Sequence, residues 1–304
     1  MAIAVVGSIN CDVIAYVERL PEPGETLLAS AYRLGLGGKG ANQAVAARRL
    51  GSTVGLVGRV GGDAFGHAVL DELRRFAVDT ALVAVDPDGA TGMAMIHVAA
   101  DGENTIAIVP GGNGVLGTAD LEKGRAALLS AGVLLLQLEV PLEASLAAAA
   151  LVRSHGGVAI LDPAPAPAGG LAPELLAAID ILTPNETETA ALTGALPRSA
   201  DDGIAAARAL RQRGAATAIV KLGARGVAFS SAAAEGFEPP FKVETIDSVA
   251  AGDCFNGALA HALDRGSGLA AAVRYAAAAG ALSTTRKGAA AAAPSADEVA
   301  RLLS

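Results

Sequence analysis

A parallel β-sheet covered by helices on both faces is the fold class this sequence predicts. Along most of its 304 residues, short apolar runs of strand length alternate with alanine- and leucine-rich stretches of helical length. That rhythm belongs to parallel strands joined by crossover helices. Size and composition agree. A chain this long, 52% hydrophobic and 18% charged, has enough apolar surface to bury a large core. It fits one big domain, or one domain with an appendage.

The elements follow in order. Residues 3–7 form a strand-length apolar run, and residues 41–50 have the length and alanine content of a helix. Strand runs recur at 54–57, 133–137, 158–161, 179–183 and 218–221. Helical stretches lie between or after them at 142–154, 204–213 and 254–263. Residues 163–173 are rich in Pro, Ala and Gly and read as a loop, while the alanine run 289–293 is uninformative. Two segments break the rhythm. Residues 13–34 and 92–109 read as antiparallel β, the second a hairpin around Asp101-Gly102, a favoured turn dipeptide. A one-faced sheet standing off a main domain needs cover from a ligand or partner, so a homodimer through this region is expected.

Charge and composition exclude several classes. Net charge is −8 with Lys and Arg scattered, so no nucleic-acid surface is expected. The pairs Arg48-Arg49 and Arg74-Arg75 read as solvated helix faces. The two cysteines, Cys11 and Cys254, form no Cys-x-x-Cys, which indicates neither a disulfide framework nor a zinc site. His67, His97, His155 and His261 show no ligand spacing. The apolar opening residues 1–6 lack a positive flank and are too short for a signal core. Residues 128–138 are interrupted by Ser130 and Gly132 and cannot span a bilayer. A soluble cytoplasmic protein is expected.

The chemistry concentrates in Asp247-Ser248-Val249-Ala250-Ala251-Gly252-Asp253-Cys254-Phe255-Asn256-Gly257, where small residues lead into a carboxylate and then a helical pattern. Gly252 has no Cβ, so the backbone can approach a ligand closely there. The first amides of a helix lack intrahelical partners and lie at the positive end of its dipole, which suits a phosphoryl group gathering charge. Asp253 stands where it can take a proton from a hydroxyl attacking that group. Taken alone, a helix cap is an equally good role for Asp253, because Asp is a favoured cap.

This segment resembles the D-[ST]-x-A-A-G-D-x-F signature of the PfkB-type carbohydrate kinases, the ribokinase family. Further family segments occur in order. They are Gly7-Ser8-Ile9-Asn10-Cys11-Asp12, Pro21-Glu22-Pro23-Gly24-Glu25-Thr26 and Gly37-Gly38-Lys39-Gly40-Ala41-Asn42-Gln43, then Leu136-Gln137-Leu138-Glu139. Thr183-Pro184-Asn185-Glu186-Thr187-Glu188, Leu222-Gly223-Ala224-Arg225-Gly226 and Thr285-Arg286-Lys287-Gly288-Ala289 complete the set, which covers nearly the whole chain. The resemblance implies a ribokinase-like three-layer fold in a single domain, 1–304. In it, residues 13–34 and 92–109 form a small β lid over a sugar.

Gly35-Leu36-Gly37-Gly38-Lys39-Gly40 also satisfies G-x-G-x-x-G. A dinucleotide site needs that loop directly after the first strand, and an acidic residue ending the second. Here a Pro-Gly-containing β segment intervenes, and no acidic residue ends 54–57. A P-loop needs Ser or Thr after its Lys, where Gly40 stands. The resemblance implies a sugar-binding segment instead.

By matching positions, the resemblance places Asn10, Asp12, Gly38, Lys39, Asn42 and Glu139 around the sugar, with Ala94 and Ile106 from the lid and Asp253 at the reacting hydroxyl. Carboxylates and amides suit a polyol, since each can pair with hydroxyls. The bland alternatives are a solvated turn residue for Asp12 and a helix N-terminal charge, ahead of Pro141, for Glu139. Asn185 and Glu188 match an N-x-x-E motif that organises magnesium and phosphates through water. Lys221, Gly223, Gly226 and Gly252 would line ATP, and Lys221 stands where family members often carry Thr. The family's monovalent-cation site, usually filled by potassium, maps to Asp247, Val249, Ser283, Arg286 and Gly288. A serine that completes it is Ala292 here, which implies weaker potassium activation.

The implied reaction is transfer of the γ-phosphoryl group of ATP to the primary hydroxyl of a pentose, D-ribose first. Asp253 would be the base, and the amides of Ala251, Gly252 and Asp253 the anion hole. Deoxyribose, fructose or a nucleoside is the alternative acceptor. A non-catalytic sugar sensor is more remote, because it needs neither Asp253 nor Gly252.

Overall fold

The computed structural model describes residues 2–304, so Met1 of the apolar opening segment lies outside the described residues. The chain opens with β1 (Ile3–Val6), β2 (Asn10–Tyr16), β3 (Ala31–Gly37), α1 (Lys39–Arg49) and β4 (Val54–Gly61). Next come α2 (Ala64–Arg75), β5 (Val83–Asp86), β6 (Gly92–Val98), β7 (Asn104–Val109), α3 (Thr118–Lys123) and α4 (Arg125–Ser130). They lead to β8 (Val133–Gln137), α5 (Leu142–Arg153), β9 (Val158–Asp162), α6 (Pro173–Ala178), β10 (Ile181–Leu182) and α7 (Glu186–Thr193). Then follow α8 (Ala200–Gln212), β11 (Thr217–Lys221), β12 (Val227–Ser230) and β13 (Glu235–Glu238). The helices α9 (Ala251–Asp264), α10 (Leu269–Ser283) and α11 (Ala296–Leu303) close the chain.

Nine strands form the main sheet, in the order β13-β12-β11-β10-β9-β8-β1-β4-β5. From β11 across to β5 every pairing is parallel, as the alternation of strands and helices predicts. At the other edge β12 and β13 run antiparallel. These two short strands and β5 escape a search for apolar runs.

Both faces of the sheet are covered. Ile3 and Val5 of β1 point into a core shared with Val45 of α1, Phe255 and Leu259 of α9 and Val273 of α10. Ala4 and Val6 point the other way, into a core with Leu121, Leu128, Ala148, Val152 and Leu210 of the opposite helices. The period of two along a strand produces both cores. On the first face α9 and α1 approach closely at Gly257, where a Cβ would stand 2.7 Å from the Cβ of Ala46. That contact sets the helix bearing Asp253 against the helix bearing Asn42 and Gln43.

The second sheet has the order β3-β2-β6-β7. Within each predicted segment the strands are antiparallel, β2 with β3 and β6 with β7, and Gly102 turns the second hairpin at φ 90. The two halves join differently: β2 and β6 are parallel, so the sheet is mixed. It also starts earlier and ends later than 13–34, at Asn10 and Gly37, because both ends of this hairpin are rooted in the core. Farther out it is open to solvent, with Tyr32, Leu34, Met95, Ile106 and Ile108 exposed. No described helix is long and apolar enough to cross a membrane.

Candidate active site

Residues singled out in the sequence collect at the C-terminal ends of the parallel strands, the edge where α/β sheets bind ligands. Sheet order ranks them. Lys221 ends β11, Asn185 follows β10, Glu139 follows β8, and Ser8 to Asn10 follow β1, with Asp162, which the sequence did not single out, ending β9 between them. Residues expected at a nucleotide therefore lie to one side, and those expected at a sugar to the other.

Asp253 is the third residue of α9, whose cap is Ala250, held at φ 57 without a side-chain cap bond. A capping role for Asp253 is thereby excluded. Its carboxylate turns to α1, where Oδ2 accepts from Asn42 Nδ2 and Oδ1 from Gln43 Nε2, each at 3.0 Å. The residue is 5% exposed. Burial pushes its pKa up to about 6; Lys39 and the two amide bonds oppose the rise, and Asp162 adds to it.

The helix start beside it differs from expectation in one respect. Ala251 N–H donates to Ser248 O at 3.3 Å, and Cys254 N–H makes the first helical bond, to Ala250 O at 2.9 Å. The amides of Gly252 and Asp253 have no acceptor among the described residues. Two of the three amides expected at an anion hole are open, because the turn before the helix engages Ala251. A Cβ on Gly252 would stand 3.4 Å from Lys221 Nζ, so an ammonium group stands beside these amides.

Around the sugar-side residues the packing is tight. Gly38 has φ +87, and a Cβ there would lie 2.7 Å from Ser8 O, so only glycine lets this loop rest on residues 8–10. Glu139 accepts from the Ser8 hydroxyl and from Lys39 N at 3.2 Å; it does not cap α5, which starts at Leu142. Asp12 lies on strand β2 and is not a solvated turn residue. Burial and the nearby Glu139 charge push its pKa up to about 7, with Arg33 opposing and Asp253 contributing. Lys39 keeps its charge: burial works against it, but Asp253, Asp162, Glu139 and Glu188 together hold its pKa above the ordinary value. Ala94 faces Asp12 across the β2–β6 pairing and is buried, whereas Ile106 on the same sheet face is 57% exposed.

On the nucleotide side, Asn185 and Glu188 hold one another. Asn185 Oδ1 accepts from Glu188 N (2.9 Å), and Glu188 accepts from Asn185 N (2.7 Å) and Asn185 Nδ2 (2.8 Å). This is a capping box for α7 as well as a motif match. Burial raises the pKa of Glu188, with Lys221 opposing and Asp162 adding. Gly223 (φ +54) and Gly226 (φ +107) bracket the single turn after β11.

The loops expected to hold a monovalent cation also meet. Asp247 accepts from Val249 N and Gly288 N, both at 3.0 Å, and Thr284 O accepts from Ile246 N and Asp247 N. Ser283 is buried with its hydroxyl donating to Gly280 O, and the Arg286 guanidinium pairs with Glu298. Ala292 is fully buried. No group of three or more His, Cys, Asp or Glu among the described residues is placed to hold a metal.

A buried carboxylate held by two amides, beside open amides at a helix start and a gathering of polar side chains at the strand ends, suits phosphoryl transfer to a hydroxyl. A family model described as pfkB family carbohydrate kinase matches residues 2–296. The chain belongs to the pfkB family of carbohydrate kinases. Among relatives of this kinase, a ribokinase from Haemophilus influenzae is 38% identical over 301 residues, covering 99% of this chain and 98% of that one. A deoxyribokinase from Salmonella typhi is 37% identical over 304 residues, covering 100% and 99%. A solved structure of Arabidopsis thaliana ribokinase complexed with ribose and ATP superimposes with TM-score 0.90 at 34% identity, covering 100% and 99%.

Sequence inspection gave no role to several buried residues that bond to the predicted ones. Asn113 is 2% exposed and orients Asn10, donating to its Oδ1 at 2.7 Å while also bonding both backbone groups of Ile9. Gln43, Gln137 and Asp162 form a buried polar chain next to Asp253. Gln43 adjoins Asn42, and Asp162 is a carboxylate ending an apolar run, so both carried a faint signal. Asn113 carried only its Gly-Gly-Asn-Gly setting.

Proposed function

We propose that this kinase transfers the γ-phosphoryl group of ATP to the 5-hydroxyl of D-ribose, giving ribose 5-phosphate. The Asp253 carboxylate, fixed by Asn42 and Gln43 beside the open amides of Gly252 and Asp253, carries the proposal. Asp253 takes the proton of the attacking hydroxyl, and its raised pKa brings it close to the working range of a base near neutrality. The two amides and Lys221 stabilise charge on the transferring group. Asn10, Asp12, Gly38, Lys39, Asn42 and Glu139 bind and orient the sugar hydroxyls. The second sheet, with Ala94 and Ile106, acts as a lid that excludes water, which otherwise competes as acceptor.

Magnesium fits as a partner of the nucleotide. Glu188 uses two acceptor positions on Asn185 and retains others for bound water, so Asn185 and Glu188 would hold the ion through its water shell. When bound, it would neutralise phosphate charge. Potassium would sit among Asp247, Val249, Ser283, Arg286 and Gly288, close to the start of α9. The exposed apolar face of the lid, including Tyr32, Leu34 and Met95, fits a homodimer contact, which sedimentation of the purified protein tests.

Deoxyribose is the second reading, favoured by the full-length similarity to the Salmonella deoxyribokinase. An ADP-release assay over D-ribose, 2-deoxyribose, fructose, adenosine and pseudouridine separates them. Selective turnover of D-ribose is expected. Preference for deoxyribose, a hexose or a nucleoside would keep Asp253 as base and overturn the sugar assignment.

A further inference from the structure

Asp162 is a buried carboxylate, 3% exposed, at the end of the strand midway between the sugar and nucleotide sides. Both of its oxygens are engaged. Oδ1 accepts from Lys221 Nζ at 2.9 Å, and Oδ2 from Gln43 Nε2 at 3.2 Å. The same Gln43 nitrogen donates to Asp253 Oδ1 at 3.0 Å. Gln137 Nε2 donates to Gln43 Oε1 at 2.7 Å, which decides the end of the Gln43 amide that faces the two carboxylates. At the other end of the chain, Lys221 Nζ stands beside Gly252. A continuous line therefore runs Lys221, Asp162, Gln43, Asp253, from the nucleotide side to the base.

We propose that Asp162 is a positioning residue for phosphoryl transfer, holding the Lys221 ammonium at the anion hole and, through Gln43, fixing the orientation of Asp253. The proposal rests on Asp253 being the base. Burying an ion pair is costly unless its geometry and remaining hydrogen bonds are good, and here Gln43 supplies the remaining bond. An ammonium has three donors, so Lys221 can meet a phosphate oxygen without releasing Asp162. Charge runs along the same line. Asp253 faces Lys39 of α1, Asp162 of β9 and Asp12 of β2; Glu139 beyond β8 and Glu188 of α7 face Lys39, and Lys221 of β11 faces Asp162 and Glu188. Among these, Asp162 favours the protonated form of Asp253 and Lys39 the ionised form.

The test compares Asp162→Asn, Lys221→Thr, the double variant and Asp253→Asn, using kcat, KM for ATP and ribose, and the acid limb of kcat/KM. Asp253 must be ionised to act, so removing the Asp162 charge moves the acid limb to lower pH. Lys221→Thr leaves the Asp162 charge unpaired and moves the limb to higher pH. In Asp162→Asn, kcat is expected to fall about tenfold or more with KM for ribose little changed. The double variant is expected to be no worse than the weaker single variant, since two residues acting as a unit are not additive. An unmoved acid limb, or losses that multiply in the double variant, overturns the proposal. If Asp162→Asn does not fold, the limb of Lys221→Thr decides alone. Turnover retained in Asp253→Asn would remove the base assignment itself; an inactive Asp253→Asn beside an Asp162→Asn of wild-type profile would remove only the role of Asp162.

Discussion

Asn42 and Asp253 are 211 residues apart in sequence and 3.0 Å apart in space, an amide of α1 donating to the carboxylate of α9. Their meeting turns the carboxylate toward α1 instead of its own helix. The Asn42 Oδ1 atom is buried with no partner in the protein, so a sugar hydroxyl is a natural donor to it.

Two substitutions separate those roles. Asp253→Asn keeps the shape and removes the base, and kcat is expected to fall about a hundredfold or more. Calorimetric affinity for ribose should stay within a few-fold of wild type. Lost ribose binding in a folded Asp253→Asn protein would contradict the assignment. Asn42→Ala removes both the orienting bond and the sugar partner, so turnover and ribose affinity should fall together.

Two carboxylates set the pH dependence. With the Asp253 pKa pushed up to about 6, activity should decline as pH falls through that value. Asp12, pushed up to about 7, accepts fewer hydroxyl bonds once protonated, so ribose affinity should weaken below about 7, and Asp12→Asn should abolish that dependence. A pH–rate profile measures the first effect and titration calorimetry with ribose the second.

Asp12 also bears on folding. Its folded-state pKa lies above the unfolded value, so its contribution to stability is fully present below the unfolded pKa and is lost as pH rises through about 7. Asp12→Asn cannot ionise. Its Tm relative to wild type should therefore climb across that interval, and a Tm difference independent of pH would refute the linkage.

Gly38 tests the backbone. A side chain at φ +87, with its Cβ 2.7 Å from Ser8 O, meets both strain and a clash. Gly38→Ala should destabilise the fold by about 2 kcal/mol and weaken ribose binding, as read by denaturant melts and calorimetry.

Ala292 bears on the cation. The Asp247–Gly288 bond ties together the loops proposed to hold potassium, and Ala292 offers no side-chain oxygen there. Activity should rise modestly with potassium, and Ala292→Ser should enlarge that response. A rate identical in potassium-free buffer would dismiss the site.

Most of the scaffold was legible in the chain. Val133–Gln137 stands as a strand at its predicted bounds, and α5, α8 and α9 fall within a few residues of theirs, because fully buried strands and alanine-rich helices announce themselves by local composition. The motif positions also pointed to many of the polar side chains that gather at the C-terminal ends of the parallel strands. Other features depend on contacts that no local pattern encodes. The parallel joining of β2 to β6, the engagement of Ala251 by Ser248, and the placing of Asp162, Gln43 and Asn113 next to the reacting groups arise only when distant segments pack. Asp253 shows the division most plainly. Its neighbours in sequence are compatible with a helix cap, and its neighbours across the α1–α9 contact, brought close at Gly257, turn the same carboxylate into the proposed base. Hydrophobic periodicity is a short-range property and specifies elements. The direction and proton affinity of a buried charge depend on desolvation and on partners from other strands and helices, which exist only in the folded chain.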